Sequence, residues 1–266
     1  MLEIQDVSVV FHQGTIHEKM ALSHVNVKIN QGDFVTIIGS NGAGKSTLFQ
    51  TISGAVSPTS GKIFLKNQDI THLKEYKRSR FIGRLFQNPL MGTAPSMTIE
   101  ENLALSACQG HYFRLKPITH QQRQQMREAL KELNLNLEDR LETKVGVLSG
   151  GQRQALSLLM ATYAKPQLLL LDEHTAALDP QTASKVLKLT DDIVKRHQMT
   201  TLMITHNMED ALRYGQKIMI MKDGKILDLI DEEKKKNLTV EGLIELYTSQ
   251  THEYNDRILL RNEAVL

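Results

Sequence analysis

Cysteine is nearly absent from this chain. Cys108 is the only one, so no internal disulfide can form, and no Cys/His grouping has the spacing of zinc ligands. A reducing compartment, the cytoplasm, is the expected setting. An excess of one charge is missing too: Lys and Arg number 32 against 30 Asp and Glu, a formal net charge of +2. Nothing therefore marks a polyanion-binding surface, and nucleic acid is not expected as a partner. Long apolar runs are also lacking. The densest stretches, Ala155 to Ala164 and Leu168 to Leu171, fall short of the roughly 20 residues a bilayer-spanning helix needs. The start, Met1-Leu2-Glu3-Ile4-Gln5-Asp6, has no basic segment followed by an apolar run, so no secretory leader is expected and the mature chain should begin near Met1. Any membrane role would then be peripheral, through a partner. No internal repeat or long linker interrupts the 266 residues, and one α/β domain with a subdomain is expected.

What is present is an alternation of strand-length apolar runs and helix-length segments, the mark of a parallel sheet covered by helices. Phe34 to Ile38 is continuously apolar apart from Thr36 and ends at Gly39, as a strand buried on both faces reads. A helix is predicted over Lys45 to Ser53 with Gly54 as its C-terminal cap. Further buried strands are predicted at Gln167 to Leu171, Thr201 to Thr205 and Lys217 to Met221. By contrast, Leu2 to Phe11 and Met20 to Ile29 alternate apolar with polar residues, the pattern of half-exposed antiparallel strands. Asp223-Gly224 reads as the turn of a hairpin joining Ile218 to Met221 with Ile226 to Leu229. From about Pro89 to Ala164 helical signals dominate, notably Ile118 to Leu133 with its Gln-rich polar face. In the tail, Glu232-Glu233-Lys234-Lys235-Lys236 reads as a solvated charge run ahead of an amphipathic stretch, Thr239 to Tyr247.

Two motifs carry chemistry on their own. Gly39-Ser40-Asn41-Gly42-Ala43-Gly44-Lys45-Ser46, followed by Thr47, lies between a buried strand and a helix and fits a phosphate-binding loop. Glycines let the backbone wrap an anion so that N–H groups and the helix N-terminus point at it. Lys45 would reach the β- and γ-phosphates and Ser46 would offer its hydroxyl to Mg²⁺. The bland alternative, a glycine turn with a chance lysine, does not account for the strand–loop–helix setting. The second motif, Leu168-Leu169-Leu170-Leu171-Asp172-Glu173, delivers two carboxylates at the C-terminal end of a buried strand, where ligands of open α/β sheets bind. Asp172 would hold the metal and Glu173 would polarise an attacking water. A helix N-cap at Asp172 is the structural alternative, and it leaves the pair unexplained.

Leu148-Ser149-Gly150-Gly151-Gln152-Arg153-Gln154 resembles the signature motif of ABC ATPases, although it reads equally as a serine-capped helix start. Three more positions match that family in the same order: Gln87 its glutamine loop, Ala176-Ala177-Leu178-Asp179 the loop that crosses its dimer interface, and His206 its switch histidine. The resemblance covers roughly the first 230 residues. It implies an α/β fold: a P-loop NTPase core with a mixed sheet, an N-terminal antiparallel β subdomain and an inserted α-helical subdomain at about 89–164. Residues 231–266 would form a C-terminal helical extension. It implies ATP and Mg²⁺, with Lys45, Gln87, Glu173 and His206 catalytic and Ser46, Gln87 and Asp172 on the metal. Nucleotide contacts fall to Gly39 through Thr47 in one subunit, and to Ser149, Gly150, Gly151, Gln152 and Asp179 across a nucleotide-sandwich homodimer. Two departures stand out. His174 replaces the proline that commonly follows the catalytic glutamate, and no aromatic is clearly marked to stack on adenine: Phe11 is the candidate, with His12 and His17 as rivals.

The implied activity is an ATPase driving transmembrane permease subunits from the cytoplasmic face of the membrane. Asp172 to Ala177 and the tail around Lys234 resemble an importer subgroup handling amino-acid-like solutes with an external binding protein. A soluble ABC protein of DNA repair or of the ribosome is the alternative. About 100 residues between Lys45 and Ser149 leave no room for a repair-type coiled coil, and each motif occurs once, unlike the paired domains of the ribosomal type. A non-catalytic nucleotide sensor is disfavoured by the presence of both Glu173 and His206. Finally, Asn88 to Thr98 is predicted to be a loop by its two prolines and glycine. It is unusually apolar, with Leu90, Met91 and Met97, and it is expected to receive a partner helix.

Overall fold

The computed structural model describes residues 1–108 and 117–251. Along these, the order is β1 (Leu2–Phe11), β2 (Lys19–Ile29), β3 (Phe34–Ile38), α1 (Lys45–Ser53), β4 (Ser60–Leu65), β5 (Gln68–Asp69), α2 (Glu75–Arg78), β6 (Ile82–Leu85) and α3 (Ile99–Ala107). Then follow α4 (His120–Lys131), α5 (Gly150–Tyr163), β7 (Leu168–Asp172), α6 (Pro180–His197), β8 (Thr200–Ile204), α7 (Met208–Arg213), β9 (Lys217–Lys222), β10 (Lys225–Ile230), α8 (Glu232–Lys236) and α9 (Val240–Thr251). The chain divides into two compact units, one made of Met1–Glu75 with everything from Thr200 onward, the other of Tyr76–Met199.

The first unit contains an antiparallel sheet in the order β2-β1-β4-β5 and the strand series β10-β9-β3-β8, in which β3 runs parallel to β8 and β9 while β9 and β10 form a hairpin. The mixed α/β class expected from the sequence is the one found. In β1 the buried apolar residues change parity, from Leu2 and Ile4 to Val7 and Val9. An unbroken strand would put those pairs on opposite faces. A bulge resolves the conflict: the pairing with β2 shifts between Ile4 and Val7, and Asp6 (φ 50°) and His24 (φ 51°) take left-handed conformations. Side chains satisfy the amides released there. Asp6 N–H donates to Asn26 Oδ1 at 2.9 Å and His24 N–H to Ser8 Oγ at 3.0 Å, so the bulge leaves neither donor bare.

β3 is buried along its whole length, as its unbroken apolar reading requires. The described part of the tail packs into the same unit. Leu243, Ile244 and Tyr247 of α9 join Met208 and Ala211 of α7 and Ile38, Ile218, Ile220 and Ile230 of the strands in one core. The charge run is not uniformly solvated, as the sequence suggests. It forms α8, and Lys235 is only 7% exposed, its Nζ donating to Tyr214 O at 2.6 Å and Gly215 O at 2.8 Å. Burial of that ammonium is offset by two carbonyls at the end of α7.

The second unit has β6 and β7 in parallel and a helical core in which Ile99 and Leu103 of α3, Met126 and Leu130 of α4, and Ala155, Leu156 and Leu159 of α5 pack together. Each of these three helices opens with a capping box: Thr98 with Glu101, Thr119 with Gln122, Ser149 with Gln152. Two orphan donors are satisfied at each start. The predicted helix over Ile118 to Leu133 is shortened to α4 by its Thr119 cap. β4, β5 and β6 were not predicted, and β7 and β8 each lie one residue from their expected bounds.

Candidate nucleotide site

In the first unit the phosphate loop joins β3 to α1. Gly42 (φ 87°) and Gly44 (φ 97°) are left-handed, and a Cβ on Gly44 would stand 2.7 Å from Ala21 O. A Cβ on Gly39 would run into Met221 O at the end of β9. The glycines are therefore demanded by close backbone approach as well as by conformation. Lys45 is buried, and its Nζ arches back over the loop to Gly39 O at 2.6 Å and Ser40 O at 3.0 Å, which places the ammonium over the turn of the backbone. Ser46 is exposed and Thr47 half-buried at the start of α1. The loop is braced from outside by the β9–β10 turn. Gly224 N–H donates to Ala43 O at 3.0 Å, and Ser23 N–H donates to Gly224 O at 2.9 Å. Asp223 (φ 46°) and Gly224 (φ 74°) are both left-handed, as the two-residue turn read from the sequence needs.

His206, half-buried, follows β8 and directly precedes Asn207, the N-cap of α7, whose side chain accepts from the Glu209 and Asp210 amides. Phe11 ends β1 paired with Lys19 and is half-buried. His12 and His17 lie exposed in the turn after it. That turn is closed by Thr15 N–H to His12 O and Glu18 N–H to Thr15 O, both 3.1 Å.

In the second unit, β7 carries Asp172 and Glu173 to its C-terminal end. Asp172 is the last residue of the strand and caps no helix; the cap of the next helix is Asp179, seven residues on. Arg84 of β6 stands beside it, Nη2 3.9 Å from Asp172 Oδ2, with its guanidinium 4.6 Å above the Phe86 ring. Gln87 is exposed, and its Nε2 donates to Glu173 Oε2 at 3.4 Å. The amide and the carboxylate expected to flank an attacking water are thus neighbours. Glu173 itself is left-handed, φ 45°. His174 is 2% exposed, and burial pushes its imidazole down to about 4.

The signature segment opens α5. Ser149 caps the helix by accepting from Gln152 N–H at 3.2 Å, while Gln152 Oε1 accepts from Ser149 N–H at 3.2 Å. The first intrahelical bond is Arg153 N–H to Ser149 O, 2.9 Å, so the Gly150 and Gly151 amides come before the ladder begins, the usual anion-facing end of a helix. A Cβ on Gly151 would strike Thr182 of α6. Asp179, exposed, caps α6 through Thr182 N–H at 3.0 Å. Hydrogen bonds from the Thr182 side chain and amide hold its carboxyl below the usual carboxylate range.

Among the described residues no group of three His, Cys, Asp or Glu side chains could cage a metal. Mg²⁺ needs no such cage: it keeps several waters and is bound by one or two protein oxygens plus substrate phosphates. Within the first unit the Ser46 hydroxyl, and within the second the Asp172 carboxylate, are oxygens of the kind Mg²⁺ takes.

Arg84 and the partner of His174 escaped the sequence reading. β6 was missed because Gly83 and Arg84 interrupt its apolar run. The glycine is required by a neighbour: a Cβ there would stand 2.5 Å from Ala161 O. A lone arginine inside Phe81-Ile82-Gly83-Arg84-Leu85-Phe86 was the available signal.

Comparison with known proteins agrees with this geometry. Residues 22–176 match the ABC transporter family. The chain is 44% identical over 247 residues to the tyrosine transport ATP-binding protein of Clostridioides difficile, covering 93% of this chain and 98% of that protein. It is 35% identical over 237 residues to the methionine import ATP-binding protein MetN of Lacticaseibacillus paracasei, covering 87% of this chain and 64% of that protein. A dimeric ATP-binding cassette in a post-hydrolysis state, bound to ADP and Pi, superposes with a TM-score of 0.74 at 29% identity over 87% of this chain and 99% of that one. With the phosphate loop, the paired carboxylates and the signature helix in place, the chain belongs to the ABC transporter family, as an ATP-binding and ATP-hydrolysing subunit.

Proposed function

We propose that this chain powers import of an amino-acid-like solute, an aromatic amino acid first among them. It works as a nucleotide-sandwich homodimer on the cytoplasmic face of a membrane, beneath permease subunits served by an external binding protein. The observation that carries the catalytic part is the approach of Gln87 Nε2 to Glu173 Oε2, 3.4 Å, at the end of a buried strand. A carboxylate so placed polarises water, and its amide neighbour orients it. Lys45 would hold the β- and γ-phosphates, Ser46 and Asp172 would hold Mg²⁺, which would neutralise the charge of the phosphates, and His206 would contact the γ-phosphate. Phe11 stacks on adenine. Because phosphoryl transfer is largely positioning and charge neutralisation, Ser149 and the Gly150 and Gly151 amides of a second copy complete the anion's surroundings. ATP then glues the pair and loss of the γ-phosphate reopens it.

The cargo reading rests on the tyrosine transport relative, supported by the methionine import protein. Docking of the permease is assigned to the segment after Gln87. Leu90 is 45% exposed and Met91 69%, while Met97 is half-buried. Met91 lines a cleft of about 500 Å³ together with Arg84, Leu105 and Met160. Flexible methionines beside a groove suit a partner helix.

The test of the catalytic reading is Glu173→Gln. It is expected to bind ATP, to hydrolyse it at least ~100-fold more slowly, and to accumulate as an ATP-bound dimer on gel filtration. Near-normal turnover would remove Glu173 from the base role.

A further inference from the structure

We propose that His174 is a positioning residue for the catalytic glutamate: its ring Nε2–H, bonded to the Thr190 hydroxyl of α6, pins the turn after β7 and holds Glu173 in the conformation that faces Gln87. The inference rests on the reading of Glu173 as the residue that polarises water.

The turn from Glu173 to Asp179 is a pair of closed loops, Ala176 N–H to Glu173 O at 3.0 Å and Leu178 N–H to Thr175 O at 3.1 Å. Its far end is fixed to α6, because Asp179 caps that helix at Thr182. The near end is fixed to the same helix by His174 Nε2 and Thr190 Oγ1, 3.1 Å apart. One helix therefore grips both ends of a seven-residue turn.

The direction of the bond follows from the proton inventory. The Thr190 hydroxyl has one hydrogen, and it goes to Val186 O at 2.8 Å. Toward the imidazole the hydroxyl can only accept, so Nε2 carries the hydrogen. Both partners are buried, His174 at 2% exposure and Thr190 at 0%, where neither group has water to fall back on.

What the pin holds is a backbone that would otherwise relax. Glu173 is a non-glycine residue at φ 45°, in the left-handed region that such residues leave unless their surroundings over-determine it. Turning that one residue back to a common conformation would swing its carboxylate off Gln87. A displacement of about 1 Å in such a site is enough to cost up to 100-fold in rate. A proline would stiffen the chain here by fixing its own φ; in this chain a side-chain bond to a neighbouring helix does that work.

The experiment uses the full-length chain with Thr190→Val, His174→Leu, His174→Gln and His174→Asn, measuring ATPase kcat, KM for ATP and melting temperature. Thr190→Val and His174→Leu should lower kcat ~10-fold or more with KM within ~2-fold, since the phosphate contacts are untouched. His174→Gln, which places an amide nitrogen at the ring's ε position, should recover most of the rate; His174→Asn, one bond shorter, should not. Placed in the Glu173→Gln background, none should slow the residual rate further, because their effect runs through the carboxylate. Wild-type kcat in Thr190→Val, equal rates in His174→Gln and His174→Asn, or an additional loss in the Glu173→Gln background would each overturn the positioning role. Should His174→Leu fail to fold, Thr190→Val and the Gln/Asn pair decide the matter. Normal turnover by Glu173→Gln alone would instead bring down the reading on which the inference rests.

Discussion

His174 shows how much one position can hold that its neighbours in the sequence do not announce. As a buried neutral imidazole it has a consequence for stability separate from catalysis. In the unfolded chain it takes a proton near pH 6.5, whereas the folded protein refuses one until about pH 4. The folded pKa is depressed, so below pH 6.5 the unfolded state binds more protons and stability falls as pH falls through this window. The loss from this residue should be about 2 kcal/mol by pH 5 and about 3 kcal/mol when protonation is complete. Urea unfolding at pH 7 and pH 5 should show that slope in the wild type and its loss in His174→Gln. An unchanged slope in the variant would assign it to other groups. From the sequence, the departure from proline at this position was visible, but its partner Thr190, sixteen residues away on the far side of a turn, was not. Lys235 makes the same point: five consecutive charges read as solvated, and only the fold reveals carbonyls for one of them to meet.

Among the elements, legibility followed the strength of the local signal. α1 came out with its observed bounds because a glycine loop precedes it and Gly54 closes it in the left-handed conformation, φ 86°. β3 and β7 were readable as apolar runs buried on both faces. β4 and β6 were not, since Gly61 and Gly83 sit where backbone atoms of other segments approach, a tertiary demand that looks like strand breaking in one dimension. The helix α5 was legible twice over, as a capped start and as a signature. That double identity yields a prediction. Ser149→Arg keeps the Arg153-to-Ser149 backbone bond that starts the helix but loses the cap and places a long cation where the partner's phosphate is expected. Hydrolysis should fall at least ~100-fold, while fluorescent-nucleotide binding by the isolated subunit stays within about 2-fold and melting drops by the ~1 kcal/mol equivalent of a lost cap. Parallel loss of binding and hydrolysis would show that the segment acts within its own subunit.

For the whole molecule, the family's nucleotide motifs fall in both compact units: Phe11, the phosphate loop and His206 belong to one, Gln87, Asp172, Glu173 and the signature to the other. The family itself was legible in one dimension, because six short matches in a fixed order mark it without any knowledge of the sheet. Cargo and permease leave weaker marks: a resemblance of Asp172 to Ala177 and the tail around Lys234 to one importer subgroup, and the apolar segment after Gln87. A molecule-scale prediction concerns coupling. Met91→Asp adds a charge to an exposed side chain, so the ATPase of the free subunit should be unaffected. Solute uptake by the assembled transporter should drop ~10-fold or more, as for loss of an interface anchor. Uptake at the wild-type level would exclude Met91 from the docking surface.

The turn between β9 and β10 has one more consequence. Gly224 N–H reaches across to Ala43 O inside the phosphate loop, so that amide is a gauge wired to the loop though it lies 180 residues from Gly44 in sequence. Its hydrogen-exchange rate reports how often the loop opens. Adding ADP or ATP should slow exchange at Gly224 along with the loop's own amides. A spectroscopist could therefore read occupancy of the site from a glycine outside the phosphate loop.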